Sequence, residues 1–203
     1  MADTGAPWNL PYPLPTDLVR DGAQAIEDLA EATADGLSAA GGLVAVKHVL
    51  KTDTFTSGSV SGGASVAVPG LSLSHALADE DNRLIITAFF GAAANSEGGA
   101  QVGIAVNDGT NFLAIGDAEG SRTRITAGGY AATTGSNSAI VVTMPSVTFV
   151  HDPQTTASLT YTVHAFNILD LARTLFVNRP EFDTNSTFVS RAASALVIQE
   201  VKV

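Results

Sequence analysis

The chain has 203 residues, 45% hydrophobic and 15% charged, the balance of one domain with a sizeable core plus an appended segment. A formal charge of −10 speaks against nucleic-acid binding, which needs a basic face. The lack of cysteine excludes disulfide frameworks and thiolate metal sites, and no apolar run is long enough to span a membrane.

The opening MADTGAPW has neither the basic region nor the apolar stretch of a secretory signal, so none is expected. Pro7, Pro11, Pro13 and Pro15 then fix φ and remove donors at near-alternate positions. This predicts an extended leader that cannot join a central sheet. Trp8, Leu10, Tyr12 and Leu14 alternate with those prolines and share one side, which makes them candidate anchors on a partner surface. The competing reading folds Trp8 back onto its own domain.

A helix is predicted from Asp17 to Leu37, with Thr16 as N-cap and Asp17 placed to suit the helix dipole. Val19, Ile26, Leu29, Ala30, Thr33 and Leu37 fall near a heptad seam, widened by Ala23, Ala25 and Ala32. No second helix follows, so the expected partners of this seam are other copies of the chain. Residues 1–42 carry seven acids against one arginine, so parallel copies would repel and most association must come from elsewhere. Gly41-Gly42 breaks the helix and sets the expected boundary between a leader, 1–42, and a head, 43–203.

Beyond Leu43 the period changes to that of strands. LVAVKHVLKTDTF reads as the first strand, and Ala64 to Val68 as the second, ended by a turn at Pro69-Gly70. RLIITAFFGAA, from Arg83, is a continuous apolar strand, expected to be buried on both faces or at a subunit interface. In QVGIAVNDGTNFLAIGD two alternating strands flank Asn107-Asp108-Gly109, a hairpin signal. AIVVTMPSVTFVHD and SLTYTVHAFNI are long strands joined around Asp152-Pro153. In SALVIQEVKV, Leu196, Ile198 and Glu200 alternate with Val197, Gln199 and Val201. About eight strands at this spacing predict a mainly β protein, a jelly-roll-like antiparallel sandwich whose first and last strands are neighbours.

The chain shows little catalytic chemistry. His48, His75, His151 and His164 stand apart, and HExxH, GxSxG, P-loop and EF-hand patterns are missing. His48 and His164 sit in apolar strands and are expected in the core or an interface. His151-Asp152 resembles half a dyad, but neighbours in a strand point to opposite faces. Asp79-Glu80-Asp81 lacks the alternate spacing of a calcium loop and reads as a solvated turn. No catalytic residue, metal or cofactor is expected.

Two polar clusters invite either a structural or a recognition role. Gly116, Asp117, Gly120, Ser121, Arg122 and Arg124 make a glycine turn whose arginines suit acids across a subunit contact, or a loop that meets a receptor glycan. Arg122 and Arg124, two apart, would share a face in a strand. Asn178, Arg179, Asp183, Asn185 and Ser186 precede the closing strand and can build Asx turns. Alternatively they bond sugar hydroxyls while Phe182 or Phe188 stacks on a ring. Arg173 and Arg191 are expected to partner other strands or subunits.

Several pieces resemble the β-sandwich heads of bacteriophage tail-fibre and virion fibre proteins: KTDTFTSGSV, IGDAEGSRTR, TASLTYTVHAF and NRPEFDTNSTFVSRAASALVIQEV. The leader PWNLPYPLPTDLVRDGAQAIEDLAEA is similar to the N-termini of phage minor tail and fibre proteins. The resemblance implies a non-enzymatic homotrimeric virion protein, attached to tail or capsid proteins by its N-terminus, with its head displayed for adhesion to a host surface glycan or protein. No fibre shaft separates leader from head. A short spike is therefore the leading expectation, and a capsid decoration or head-fibre protein the alternative. A depolymerase on the same fold would need two carboxylates facing one cleft, and no such pair is evident.

Overall fold

A computed structural model describes residues 2–3, 11–12, 22–39, 42–95, 100–131 and 140–203. The chain divides into two compact units, Met1–Leu43 with Lys202–Val203, and Val44–Val201.

In the first unit β1 (Ala2–Asp3) pairs antiparallel with β2 (Pro11–Tyr12), Ala2 opposite Tyr12. Pro11 and Tyr12 of the proline segment thus take part in a two-stranded ribbon. Helix α1 spans Gly22–Ala39, two residues past Leu37. Thr33 donates its hydroxyl to the Leu29 carbonyl (2.7 Å), and Gln24 donates to Asp28 one turn on (2.8 Å). The Lys202 amide donates to the Gly42 carbonyl (2.9 Å), tying the two ends of the unit together.

The second unit contains β3 (Leu43–Lys51, whose first residue belongs to the first unit), β4 (Phe55–Val60), β5 (Ser65–His75), β6 (Arg83–Phe89) and β7 (Ala92–Ala94). It continues with β8 (Ala100–Asn107), β9 (Phe112–Leu113), β10 (Ala127–Ala131), β11 (Ser146–His151), β12 (Leu159–Asn167), β13 (Arg173–Val177) and β14 (Ser194–Val201). One sheet runs β11-β6-β14-β3, a second β10-β8-β12-β5 with β9 hooked onto β8, and a small third β4-β13-β7. Along the chain these strands alternate between the first two sheets, β3, β6, β11 and β14 in one and β5, β8, β10 and β12 in the other, except that β8 and β10 follow each other in the second. This winding is a jelly roll, and the last strand lies beside the first.

The core lies between the inner faces. Leu84, Ile86, Ala88, Leu196 and Ile198 from the first sheet meet Val68, Leu71, Ile104, Val106, Tyr161 and Val163 from the second. Each large side chain so buried contributes about 1.5–3 kcal/mol.

Four expectations are corrected here. The run from Leu43 to Phe55 is two strands, broken at Thr52–Thr54, because β4 leaves the first sheet to pair with β13. Pro69-Gly70 is not a turn between strands but a bulge inside β5. Ala67 and Ser72, five residues apart, face His164 and Thr162, only two apart. Gly70 takes φ +80°, open to glycine, and the bulge lets both Val68 and Leu71 reach the core. Of the two alternatives for the apolar run from Arg83, burial on both faces within one chain is not met: Leu84, Ile86 and Ala88 point inward, and Ile85, Thr87 and Phe89 are half-covered. Arg122 and Arg124 lie in a loop, not a strand, so no shared strand face exists for them. The short strand β13 had no expectation at all.

Candidate functional site

Strand registers set the two ends of the head. His75, Leu84, His151, Leu159 and Glu200 lie at the near end, where the chain passes into β3 and leaves β14. The far end carries the small sheet and the loop 178–193, which lies between β13 and β14.

That loop is closed at its stem by Asn178, a buried residue at φ +61°, a conformation that asparagine tolerates. Its amide donates to the carbonyls of Lys51 (2.9 Å) and Asp53 (3.0 Å). Its Oδ1 accepts from the Ser194 hydroxyl (2.6 Å), whose oxygen accepts from the Gly91 amide (3.2 Å). Every polar group of this buried stem is matched, as burial demands.

Above the stem, Arg179 and Asp183 come together as a loop clamp. Arg191 donates Nε to Asp183 Oδ1 (2.8 Å) and Nη2 to Oδ2, and Arg179 Nε stands 3.7 Å from Oδ2. Arg179 also donates to the carbonyls of Pro180 (3.0 Å) and Glu181 (2.8 Å), with its guanidinium 5.1 Å from the Phe176 ring centroid. Phe182 and Phe188 remain 58% and 81% exposed. Asn178, Arg179 and Asp183 are therefore spent inside the loop, while the aromatic rings and Asn185 are exposed on it. Such a platform offers two apolar faces on a preorganised backbone, suited to stacking against a sugar ring or an apolar side chain.

The cluster from Gly116 to Arg124 also closes on itself. Arg124 Nε donates to the Gly116 carbonyl (2.6 Å), and Arg122 stands 3.7 Å from Glu119 in the same turn. Asp117 is exposed. The segment continues into Ile125, whose methyl approaches Gly103 so closely that a Cβ there would sit 2.7 Å away. It therefore covers part of the outer face of the second sheet.

A buried carboxylate at the near end was not singled out from sequence, although in SALVIQEVKV it alternates in phase with Leu196 and Ile198. Glu200 is 1% exposed. Its Oε2 pairs with His75 Nε2 (2.8 Å), and its Oε1 accepts from the Ala78 amide (2.8 Å) and Asn82 Nδ2 (2.6 Å). Burial pushes its pKa up, but the bonds from Asn82, Ala78 and His75 outweigh this and hold it below the usual carboxylate range. The cluster ties β14 to the end of β5 and to the 76–82 connection.

The other histidines have separate surroundings. His151 meets Tyr161 edge-on (5.8 Å), and burial lowers its pKa against the opposing pull of Asp108 and Asp152. Asp152 turns instead to Arg83 (3.6 Å), so the two neighbours diverge. Tyr161 is pushed up to about 12, by burial first and then by Asp108. His164 is half-covered by Phe112, and burial lowers its pKa as well. His48 is exposed, which excludes the core from the two places expected for it, the core or an interface: the even-numbered side of β3 faces outward.

Asp79 caps its own turn through the Asp81 amide (3.1 Å), and among the described residues no group of three acids, histidines or cysteines can hold a metal ion. Arg191 finds its partner within its own loop, while Arg173 Nε is buried without one. Of the helix seam, Ile26 is 69% exposed, Thr33 exposed and Leu29 half-buried, so these three do not share one environment. Val19, Trp8, Leu10 and Leu14, with the cap Thr16 and Asp17, lie outside the described residues, as do the side chains of Tyr12 and Leu37.

No family model matches the chain, and no curated protein matches it.

Proposed function

We propose that this chain is a bacteriophage virion structural protein, a short homotrimeric fibre or spike that holds the particle through residues 1–42 and displays the jelly roll for host adhesion. The observation that carries the reading is the polarity of the head. The chain joins it at one end, and the opposite end holds a clamped loop that exposes Phe182 and Phe188. An attached, displayed module needs this arrangement, since its anchor and its contact surface must not compete for the same end.

The mechanism is multivalent. Each far-end platform makes a weak contact with a host-surface glycan or protein, and several copies on one particle combine them into avidity. Fold alone does not fix function, so the reading also leans on the resemblance of the leader and of the closing segment to phage fibre proteins. Its test is the composition of gradient-purified particles. The chain is expected among the virion proteins and accessible to antibody on intact particles, and its absence from them would contradict the reading.

A further inference from the structure

The two sheets of the head treat their outer faces differently. On the second sheet Ser72 bonds Thr162 (2.9 Å) and Ser74 bonds Thr160 (2.8 Å), forming a polar ladder. The rest of that face lies under Phe112, which meets the rings of His164 and Phe166 at 5.0 Å, and under Ile125. The first sheet carries one such pair, Thr87 with Thr148 (3.0 Å), but among the described residues no aromatic ring or isoleucine is seen to lie over it. Val49 and Lys51 point to the core, so Val44, Val46, His48 and Leu50 of β3 point out. Beside them on the outer side lie Val197 and Val201 of β14, Ile85 and Phe89 of β6, and Val150 of β11. Val44, Val46, Leu50 and Val150 are 44 to 62% exposed.

Both sheets are almost free of charge on their outer faces, and exposed apolar side chains set this one apart. Among the outward positions of its four strands the only permanently charged side chain is Arg83, at the rim and paired with Asp152. The whole chain carries −10, so two copies repel wherever their acids face each other. A partner drawn in by charge would settle on the acidic loops, not here. An uncharged apolar face is complementary to itself, which selects a second copy of this chain. With strands about 4.8 Å apart and about seven residues of roughly 3.3 Å each, the face measures about 450 Å². Two copies together cover about 900 Å², the size of a weak, reversible interface and not of an obligate one.

We infer that the outer face of the β11-β6-β14-β3 sheet is the surface through which copies of this chain associate. The inference rests on the homo-oligomeric part of the function proposed above. It is tested on the full chain by light scattering over about 1 to 100 μM, the range in which mass action resolves such an interface. The wild type gives at least twice the 20.7 kDa of one chain at the upper end. Val46→Glu with Val150→Glu, both at exposed positions, gives the single-chain mass with an unchanged circular dichroism spectrum. The same charges on the other sheet, Ser72→Glu with Thr160→Glu, leave the oligomer intact. Should the glutamates disturb folding, Val46→Thr with Val150→Thr keeps the shape and is expected to weaken association several-fold. An oligomer that survives these β3 and β11 substitutions overturns the assignment of this face and leaves a homo-oligomer standing. A wild type of single-chain mass throughout overturns both.

Discussion

Glu200 brings a charge onto a wall otherwise made of Leu196, Ile198, Leu84 and Ile86, and it is tolerated because three donors meet its two oxygens. Removing one side of such a buried pair costs about 3–5 kcal/mol, since the partners are left without their acceptor. Glu200→Gln is therefore expected to lower unfolding free energy by about 3 kcal/mol in urea titration, because its amide group opposes donors already aimed at it. The pH dependence has a definite sign. The folded state holds the carboxyl below its ordinary value of 4.5, so folding favours the ionised form. That stabilisation is complete above about pH 4.5 and is lost as pH falls through the folded value. The wild type should lose melting temperature on acidification below that point, with a shallower slope in Glu200→Gln, and equal slopes would contradict the assignment. At the far end, Phe182→Ala with Phe188→Ala should change stability by no more than about 0.5 kcal/mol per site, as exposed positions do. Particle adhesion to host cells should fall, and unchanged adhesion would remove these rings from the contact surface.

The strands with clear alternation were legible. The closing run showed its period of two, with Glu200 in phase with Leu196 and Ile198, and Asn107-Asp108-Gly109 marked its hairpin through the Asp108 side chain that accepts from Thr110 and Asn111. Other elements were not legible, for physical reasons. Arg173–Val177 is only five residues long, and it becomes a strand because β4 and β7 flank it, a tertiary cause with no local signal. Pro69-Gly70 has the composition of a turn, yet the extra residues between Ala67 and Ser72 fit as a bulge while the ladder resumes beyond them. The clamp of Asp183 by Arg179 and Arg191 was equally hidden, since sequence shows charges near each other but not whether they face inward or out. The bulge itself makes a prediction. A Cβ at Gly70 meets nothing closer than Lys51 Nζ at 3.7 Å, so the cost of Gly70→Ala is backbone strain alone. Roughly 1–2 kcal/mol of lost stability is expected from chemical denaturation, and a neutral result would mean that β5 relaxes to another path.

At the scale of the whole molecule, a head with two distinct ends follows a leader that has its own small ribbon and helix. Each unit is compact, and the head has its own continuous core from Val60 to Ile198, so residues 43–203 should fold without the leader. A helix with Ile26 in solvent and a head with exposed apolar side chains on one sheet face both suit a chain that functions in the company of other chains. The central claim is that residues 1–42 attach this head to a particle. The most direct measurement is a competition for incorporation, in which full-length chain and the fragment 43–203 are supplied together during assembly and quantified in purified particles. The account predicts full-length chain in the particles and fragment only at background, although the fragment is folded in solution. Fragment incorporated as well as the full chain would contradict it.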